Sequence, residues 1–232
     1  MNETILPGLR RIRVRFPLGF TNAYLVDAAA GPTLVDTGIS ASSRAIVAAI
    51  DGSGRAPHDI RDIAVTHAHF DHAGSVAALA RATGAAVWIH RADAAALRSG
   101  ISGPLPTFQP AWIGAVMRRF PAPNFPAWPG AHEFEDRATV AGDLVAIHGP
   151  GHTPGHCAYL WPAHGGVLFC GDTLTNLGRV RLGYFNADWP ATQASARRLA
   201  ELDFETVVFG HGPPIVGRAA ARMRIDIERL AR

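Results

Sequence analysis

The stretch Thr66-His67-Ala68-His69-Phe70-Asp71-His72 carries the strongest signal in the chain. It follows the apolar, β-type run over 63–66 and precedes an alanine-rich segment over 73–83 that is typical of a helix. Three imidazoles and one carboxylate packed this closely are hard to explain by core packing. These ligand types suit Zn²⁺, Mn²⁺ or Fe²⁺. Alternate residues of an extended turn point the same way, so the first two histidines can converge on one ion. The aspartate and the third histidine can then face a second ion.

Three later segments each place one more ligand-type residue beside glycine at the end of a predicted strand. They are the turn Gly149–His156, the tripeptide Gly171-Asp172-Thr173 and the tripeptide Gly210-His211-Gly212. Glycine lets backbones approach closely, and functional residues of α/β proteins gather at strand ends. The sequence therefore predicts one metal site built from His67, His69, Asp71, His72, His152, Asp172 and His211.

The composition excludes several other chemistries. All 22 basic residues among the 232 are arginine, so no Schiff-base lysine or P-loop lysine exists. The arginines are scattered and the formal net charge is only +3, which does not favour a nucleic-acid partner. We expect a small-molecule substrate instead.

The order of predicted elements indicates an α/β fold. Strands dominate residues 12–36 and resume after residue 138, and each strand-rich part is followed by alternating helices and strands. We predict a single domain over residues 1–232. The proline- and aromatic-rich segment at about 99–130 is predicted to be a lid-like insertion with a short helix over 110–119.

Two cysteines, no apolar leader and no long charge-free apolar window predict a cytoplasmic protein without a membrane anchor. The oligomeric state stays open, including a homodimer.

The four motifs, in this order, resemble the metallo-β-lactamase superfamily from about residue 20 to residue 215. The resemblance implies a four-layer αββα sandwich with two divalent metal ions, zinc by precedent, at one edge of its sheets. It implies that His67, His69 and His152 bind the first metal. The second metal would be bound by Asp71, His72 and His211, and Asp172 would bridge the two.

The resemblance also implies two residues that support the ligands. Asp36, in Val35-Asp36-Thr37-Gly38, matches an early buried aspartate that steadies the metal-binding loop. The alternative is an aspartate that caps a helix at a turn. His156 is expected to form hydrogen bonds near the site without binding metal.

By this resemblance, a metal-bound hydroxide attacks the carbonyl of an ester, thioester or lactone, and Asp71 takes the proton of the nucleophile. Substrate contacts are predicted at Tyr184, with Asn186 nearby, and in the insertion at Trp112, Met117, Phe120, Phe125 and Trp128. The aromatic residues could instead fasten a long loop to the domain.

Three functions remain open at this stage. A glyoxalase II-like thioesterase and an acyl-homoserine-lactone-type lactonase both fit the motifs. The alternative from another reaction class is a persulfide dioxygenase that holds one iron. A complete second set of ligands favours hydrolysis with two metals.

Overall fold

The computed structural model describes residues 2–16, 19–103 and 123–230. These residues form two large β-sheets, one two-stranded sheet and five α-helices. None of the described helices is long and apolar enough to cross a membrane.

The first sheet has seven strands that lie side by side in chain order. Its first four strands pair antiparallel, and from the fourth to the seventh the pairing is parallel. The strands are β1 (Asn2–Leu6), β2 (Leu9–Phe16), β3 (Gly19–Ala28), β4 (Gly31–Val35), β5 (Asp62–Ala64), β6 (Ala86–His90) and β7 (Ala131–Phe134).

The second sheet has six strands in the order β15-β14-β11-β10-β9-β8. All its pairs are antiparallel except the parallel pair of β11 and β14. The strands are β8 (Thr139–Val140), β9 (Leu144–His148), β10 (Cys157–Trp161), β11 (Val167–Phe169), β14 (Thr206–Val208) and β15 (Ile215–Val216). The two-stranded sheet pairs β12 (Leu174–Asn176) with β13 (Val180–Leu182).

The helices divide between the two halves of the chain. The first half contains α1 (Ser43–Asp51), α2 (Val76–Thr83) and α3 (Arg91–Ser99), and the second half contains α4 (Trp189–Ala200) and α5 (Ala219–Leu230). The Asp188 side chain accepts a hydrogen bond from Ala191 N at 2.9 Å, which caps the start of α4.

Alternation along the strands separates three layers of apolar side chains. Ile63 packs toward α1–α3, whereas its neighbour Ala64 faces the layer between the two large sheets. In the same way Leu168 packs toward α4 and α5, whereas Phe169 faces the shared middle layer. Each sheet is therefore covered by helices on its outer face and by the other sheet on its inner face. This is the predicted four-layer αββα sandwich, and the fold class is confirmed.

The predicted helices agree closely with the structure. The helix expected over 73–83 is α2, which spans Val76–Thr83, and helices and strands alternate after each strand-rich part as predicted. The helix expected over 110–119 lies outside the described residues. The edge strand β1 and the hairpin of β12 and β13 were not predicted, because short or polar strands carry little periodic signal. A single domain stays a prediction, which the shared middle layer supports.

Candidate metal centre

The predicted ligands lie at the carboxyl ends of four strands. His67, His69, Asp71 and His72 follow β5 of the first sheet. The other three follow strands of the second sheet: His152 comes after β9, Asp172 after β11 and His211 after β14. The site is thus assembled at the carboxyl ends of strands from both large sheets.

These side chains form three overlapping sets whose ligand atoms lie within 4.8 Å of one another. We call His67, His69 and His152 the three-histidine group, and Asp71, His72 and His211 the mixed group. The third set joins Asp172 to His67 and His72, one residue from each group. The grouping matches the division between two metals that the resemblance implies.

A chain of hydrogen bonds orients His67 and His72. Thr66 Oγ1 donates to Asp36 Oδ2 at 2.8 Å, so it can accept the Nδ1 proton of His67 at 3.0 Å. His72 Nδ1 lies 2.8 Å from the same carboxylate oxygen and donates to it. Both histidines therefore keep their protons on Nδ1 and leave Nε2 as the ligand atom.

His152 and His211 are oriented in the same way by other partners. His152 Nδ1 lies 3.2 Å from Asn186 Oδ1, and His211 Nδ1 lies 2.8 Å from the carbonyl oxygen of Phe20. Each acceptor favours a proton on Nδ1 and leaves Nε2 for a metal. In the three-histidine group, His69 Nδ1 lies 2.9 Å from His152 Nε2.

Asp172 lies between the two groups. Its Oδ1 is 3.4 Å from His72 Nε2, and its Oδ2 is 3.7 Å from His152 Nε2 and 3.2 Å from His211 Nε2. Gly210 makes this position accessible, because a Cβ atom there would lie 2.0 Å from Asp172 Oδ1. Any larger residue at 210 would push the carboxylate away from the histidines.

Burial keeps the three-histidine group neutral. It lowers the pKa of His67 well below the usual value, that of His69 to about 4 and that of His152 to about 3. Neighbouring histidines add to the shift in each case. Neutral imidazole is the form that binds metal.

The mixed group has the opposite electrostatics. Burial opposes charge on its histidines, but Asp172 and Asp71 raise the pKa of His72 well above its usual value and that of His211 to about 10. Burial would likewise raise the pKa values of Asp71 and Asp172, yet His72 and His211 hold both below the usual range. The site favours positive charge, whether protons or a metal ion carry it.

The donor set fits divalent metal ions. Among the described residues, His67 Nε2, His72 Nε2 and Asp172 Oδ1 are buried and make no hydrogen bond. A buried polar atom without a partner is costly, and a metal ion would satisfy all three. Imidazole and carboxylate together are zinc-type ligands.

Comparison with known proteins identifies the family of this chain. The family model described as the metallo-beta-lactamase superfamily matches residues 16–211. The chain belongs to this superfamily. The predicted resemblance is therefore confirmed.

The curated relatives of this superfamily member include hydrolases. It is 36% identical over 151 residues to the hydroxyacylglutathione hydrolase of Pseudomonas aeruginosa (strain LESB58), covering 65% of this chain and 46% of that protein. The chain thus spans about half the length of this hydroxyacylglutathione hydrolase. Over 227 residues it is 29% identical to the uncharacterized protein YobT of Bacillus subtilis (strain 168), covering 92% of each.

Solved structures share the fold at lower identity. A B3 metallo-beta-lactamase with an active-site glutamic acid has a TM-score of 0.75 at 24% identity, covering 99% of this chain and 88% of that one. A metallo-beta-lactamase family protein from Thermus thermophilus has a TM-score of 0.73 at 24% identity, covering 98% and 79%. At this identity the likeness concerns the fold alone.

The two predicted supporting residues lie beside the ligands. Asp36 bonds His72 and Thr66 as described, and it does so from a left-handed backbone conformation with φ 61°. Asparagine and aspartate tolerate this conformation better than most residues. His156 accepts the backbone N–H of Asp172 on Nε2 at 3.0 Å, and Thr173 Oγ1 lies 3.3 Å from its Nδ1. It holds the backbone of Asp172 and belongs to neither ligand group.

The predicted substrate contacts have mixed positions. Trp112, Met117 and Phe120 lie outside the described residues. Phe125 is buried in the core cluster between the first sheet and its helices, and Trp128 packs against that cluster. These contacts account for both rings as anchors of the insertion, so their role in substrate binding stays a prediction. Tyr184 is exposed, and its hydroxyl accepts a hydrogen bond from Arg181 Nη1 at 3.3 Å.

Several supporting residues were not predicted. Asn22 on β3 binds the His211 turn through its side-chain amide, which donates to Phe209 O at 2.9 Å and Gly212 O at 2.8 Å. Ser102 Oγ accepts the Phe70 N–H at 3.1 Å and donates to Pro123 O, so the base of the insertion is tied to the metal-binding loop. Asn22 and Ser102 lie far from their partners in sequence, and only the fold pairs them.

Proposed function

We propose that this chain is a hydrolase that uses two divalent metal ions, zinc first among them, to cleave a small ester, thioester or lactone. One observation carries the proposal: the three-histidine group and the mixed group meet at Asp172. Its Oδ2 lies 3.7 Å from His152 Nε2 of the first group and 3.2 Å from His211 Nε2 of the second, and its Oδ1 lies 3.4 Å from His72 Nε2. A one-metal site would have no use for the mixed group. When bound, two such ions activate water near neutral pH and polarise the scissile carbonyl.

The protein side chains contribute orientation and a proton acceptor. Thr66, Asp36, Asn186 and the Phe20 carbonyl fix the imidazole rings, so the ligand atoms need little reorganisation. Burial opposes ionisation of Asp71, but the neighbouring histidines lower its pKa, so the carboxylate is ionised at neutral pH. Asp71 therefore holds a lone pair ready for a proton of the attacking water.

The relatives favour the thioester within this substrate range. Hydroxyacylglutathione hydrolases are named for a thioester substrate, and they match this chain at 36% identity over 151 residues and at 45% identity over 85 residues. Exposed apolar side chains also accompany the ligand-bearing segments. Phe20 lies on β3, two residues before Asn22, which binds the His211 turn. Leu177 follows β12, and Tyr184 and Phe185 precede Asn186. These side chains suit a substrate with an apolar acyl group.

Metal content measured together with hydrolysis tests the proposal. Protein purified without added metal is analysed by mass spectrometry and assayed on a panel of one glutathione thioester, one acyl-homoserine lactone and one p-nitrophenyl ester. We expect two equivalents of zinc or manganese, with hydrolysis lost on chelation and restored when the metal is returned. One equivalent of iron without hydrolysis would contradict the proposal. Oxygen consumption with glutathione persulfide would then identify the dioxygenase.

A further inference from the structure

Asp93 is a buried aspartate outside every motif in the sequence. It lies in the first turn of α3 and is only 2% exposed. Its Oδ2 accepts hydrogen bonds from Ala68 N at 3.0 Å and from Thr153 Oγ1 at 2.7 Å. Its Oδ1 accepts a hydrogen bond from Gly155 N at 2.7 Å. One carboxylate thus accepts three hydrogen bonds from two separate loops.

These two loops carry the whole three-histidine group. Ala68 lies between His67 and His69 on the loop after β5, and Thr153 directly follows His152 on the loop after β9. The first loop belongs to the first sheet and the second loop to the second sheet. Asp93 therefore bridges the two sheets at the point where His152 must meet His67 and His69.

The contact with the second loop depends on glycine. A Cβ atom at residue 155 would lie 2.4 Å from the backbone N of Asp93 and 2.6 Å from its Oδ1. Such a contact is sterically forbidden, so only glycine lets the loop approach α3 this closely.

The three donors favour an ionised Asp93. Burial raises the pKa of this carboxyl, and the donors Ala68 N–H, Thr153 Oγ1–H and Gly155 N–H oppose the rise. The first turn of a helix also stabilises a negative charge. Asparagine has the same shape, but its amide group would face one of these donors instead of accepting from it.

The mixed group has other supports. His72 is held by Asp36, and His211 is held by the carbonyl of Phe20. No hydrogen bond among the described residues joins Asp93 to Asp71, His72 or His211.

We propose that Asp93 is a positioning residue that sets the spacing of the three-histidine group and thereby its affinity for metal, without touching the metal itself. This inference rests on the metal-binding part of the proposed function. It predicts that a substitution at Asp93 lowers the affinity for metal at the three-histidine group and leaves the affinity at the mixed group unchanged.

The test compares Asp93→Asn with Asp62→Asn. Asp62 is the matched control, because it is also buried in the first half but lies at the start of β5 and accepts its hydrogen bond from Trp88 Nε1, at 2.6 Å, and not from a ligand loop. Metal-depleted proteins are titrated with Co²⁺ against a competing chelator, and the visible spectrum is recorded. His69→Ala and His211→Ala serve as references. Each variant removes one ligand from one group, so the spectrum that remains identifies Co²⁺ bound at the other group.

We expect Asp93→Asn to weaken Co²⁺ binding at the three-histidine group about 10- to 100-fold, as is typical when a partner of a metal ligand is lost. Binding at the mixed group stays within about twofold of the wild type, and Asp62→Asn changes neither affinity. Equal losses at both groups, equal losses in the two variants, or wild-type affinities in Asp93→Asn would each overturn the inference.

Thr153→Val decides the question if Asp93→Asn does not fold. Valine keeps the β-branched shape and removes one of the three donors, so we expect a smaller loss, still confined to the three-histidine group. Unchanged affinity in this variant would overturn the inference. A wild-type protein that does not bind two equivalents would instead contradict the proposed function, so the two failures are distinguishable.

Discussion

The three-histidine group and the mixed group share one cluster but differ in their supports and in their protons. The three-histidine group comes from two loops that one carboxylate, Asp93, ties together. The mixed group comes from the loop after β5 and the turn after β14, and strand β3 clamps that turn through Asn22 and Tyr24. Burial keeps the first group neutral, whereas carboxylates keep the histidines of the second protonated.

The difference shows how two metal sites a few ångströms apart can have different affinities. A metal ion that enters the three-histidine group displaces no proton at neutral pH. A metal ion that enters the mixed group must displace protons from His72 and His211, which costs free energy when the pH is below their raised pKa values. We therefore expect the three-histidine group to fill first.

Loss of the Asp71 carboxylate should have the largest effect on activity. Asp71→Ala removes a ligand of the mixed group and the proposed proton acceptor, so we expect kcat on the thioester or ester to fall about 10²- to 10⁴-fold. Steady-state kinetics with parallel metal analysis measures it, and Asp51→Ala, at an exposed position at the end of α1, is the control. Near-normal turnover in an Asp71→Ala protein with both metals bound would refute the assigned role.

Asp36 should affect both groups where Asp93 affects one. Its carboxylate binds His72 directly and reaches His67 through Thr66. Asp36→Asn is therefore expected to lower the affinity for Co²⁺ at both groups about 10- to 100-fold, measured by the same titration. A loss at the mixed group alone would show that the Thr66 link does not matter.

The pH dependence of metal binding should separate the groups further. With the pKa of His211 near 10, its proton is present at pH 6–8 and must leave, so affinity at the mixed group should rise up to about tenfold per pH unit for each displaced proton. His69 and His152, with pKa values of about 4 and 3, are neutral throughout that range, so the three-histidine group should show no such rise. Titrations at pH 6, 7 and 8 measure how the metal affinity of each group changes with pH. An equal rise in affinity at both groups would contradict the predicted difference between them.

The smallest effect is expected from two buried tyrosines, one beside each of two ligand-bearing segments. The Tyr24 hydroxyl donates to Phe209 O at 2.6 Å, two residues before His211, and the Tyr159 hydroxyl donates to Val65 O at 2.7 Å, two residues before His67. Each tyrosine-to-phenylalanine change should lower the free energy of unfolding by about 0.5–1.5 kcal/mol. Tyr24→Phe should cost less, because Asn22 still donates to Phe209 O at 2.9 Å.

Urea unfolding of both metal-depleted variants measures this difference. A larger loss in Tyr24→Phe than in Tyr159→Phe would mean that Asn22 does not compensate for the missing hydroxyl.

Much of the candidate site could be predicted from the sequence, because its ligands are local. Four of them fall within His67–His72, and each of the others stands beside glycine after an apolar run. Short-range patterns of this kind need no knowledge of the fold. Local periodicity likewise placed α2 and indicated the α/β class.

Apart from Asp36 and His156, which the family resemblance implied, only the tertiary structure shows how the ligands are held. Asp93 accepts from residues 25, 60 and 62 positions away, and in the sequence it is one aspartate in an alanine-rich helix. Asn22 likewise binds a turn at the other end of the chain. A ligand motif is recognisable because its chemistry is concentrated in sequence. A supporting hydrogen bond leaves no such trace, because its donor and acceptor meet only when the two sheets pack together.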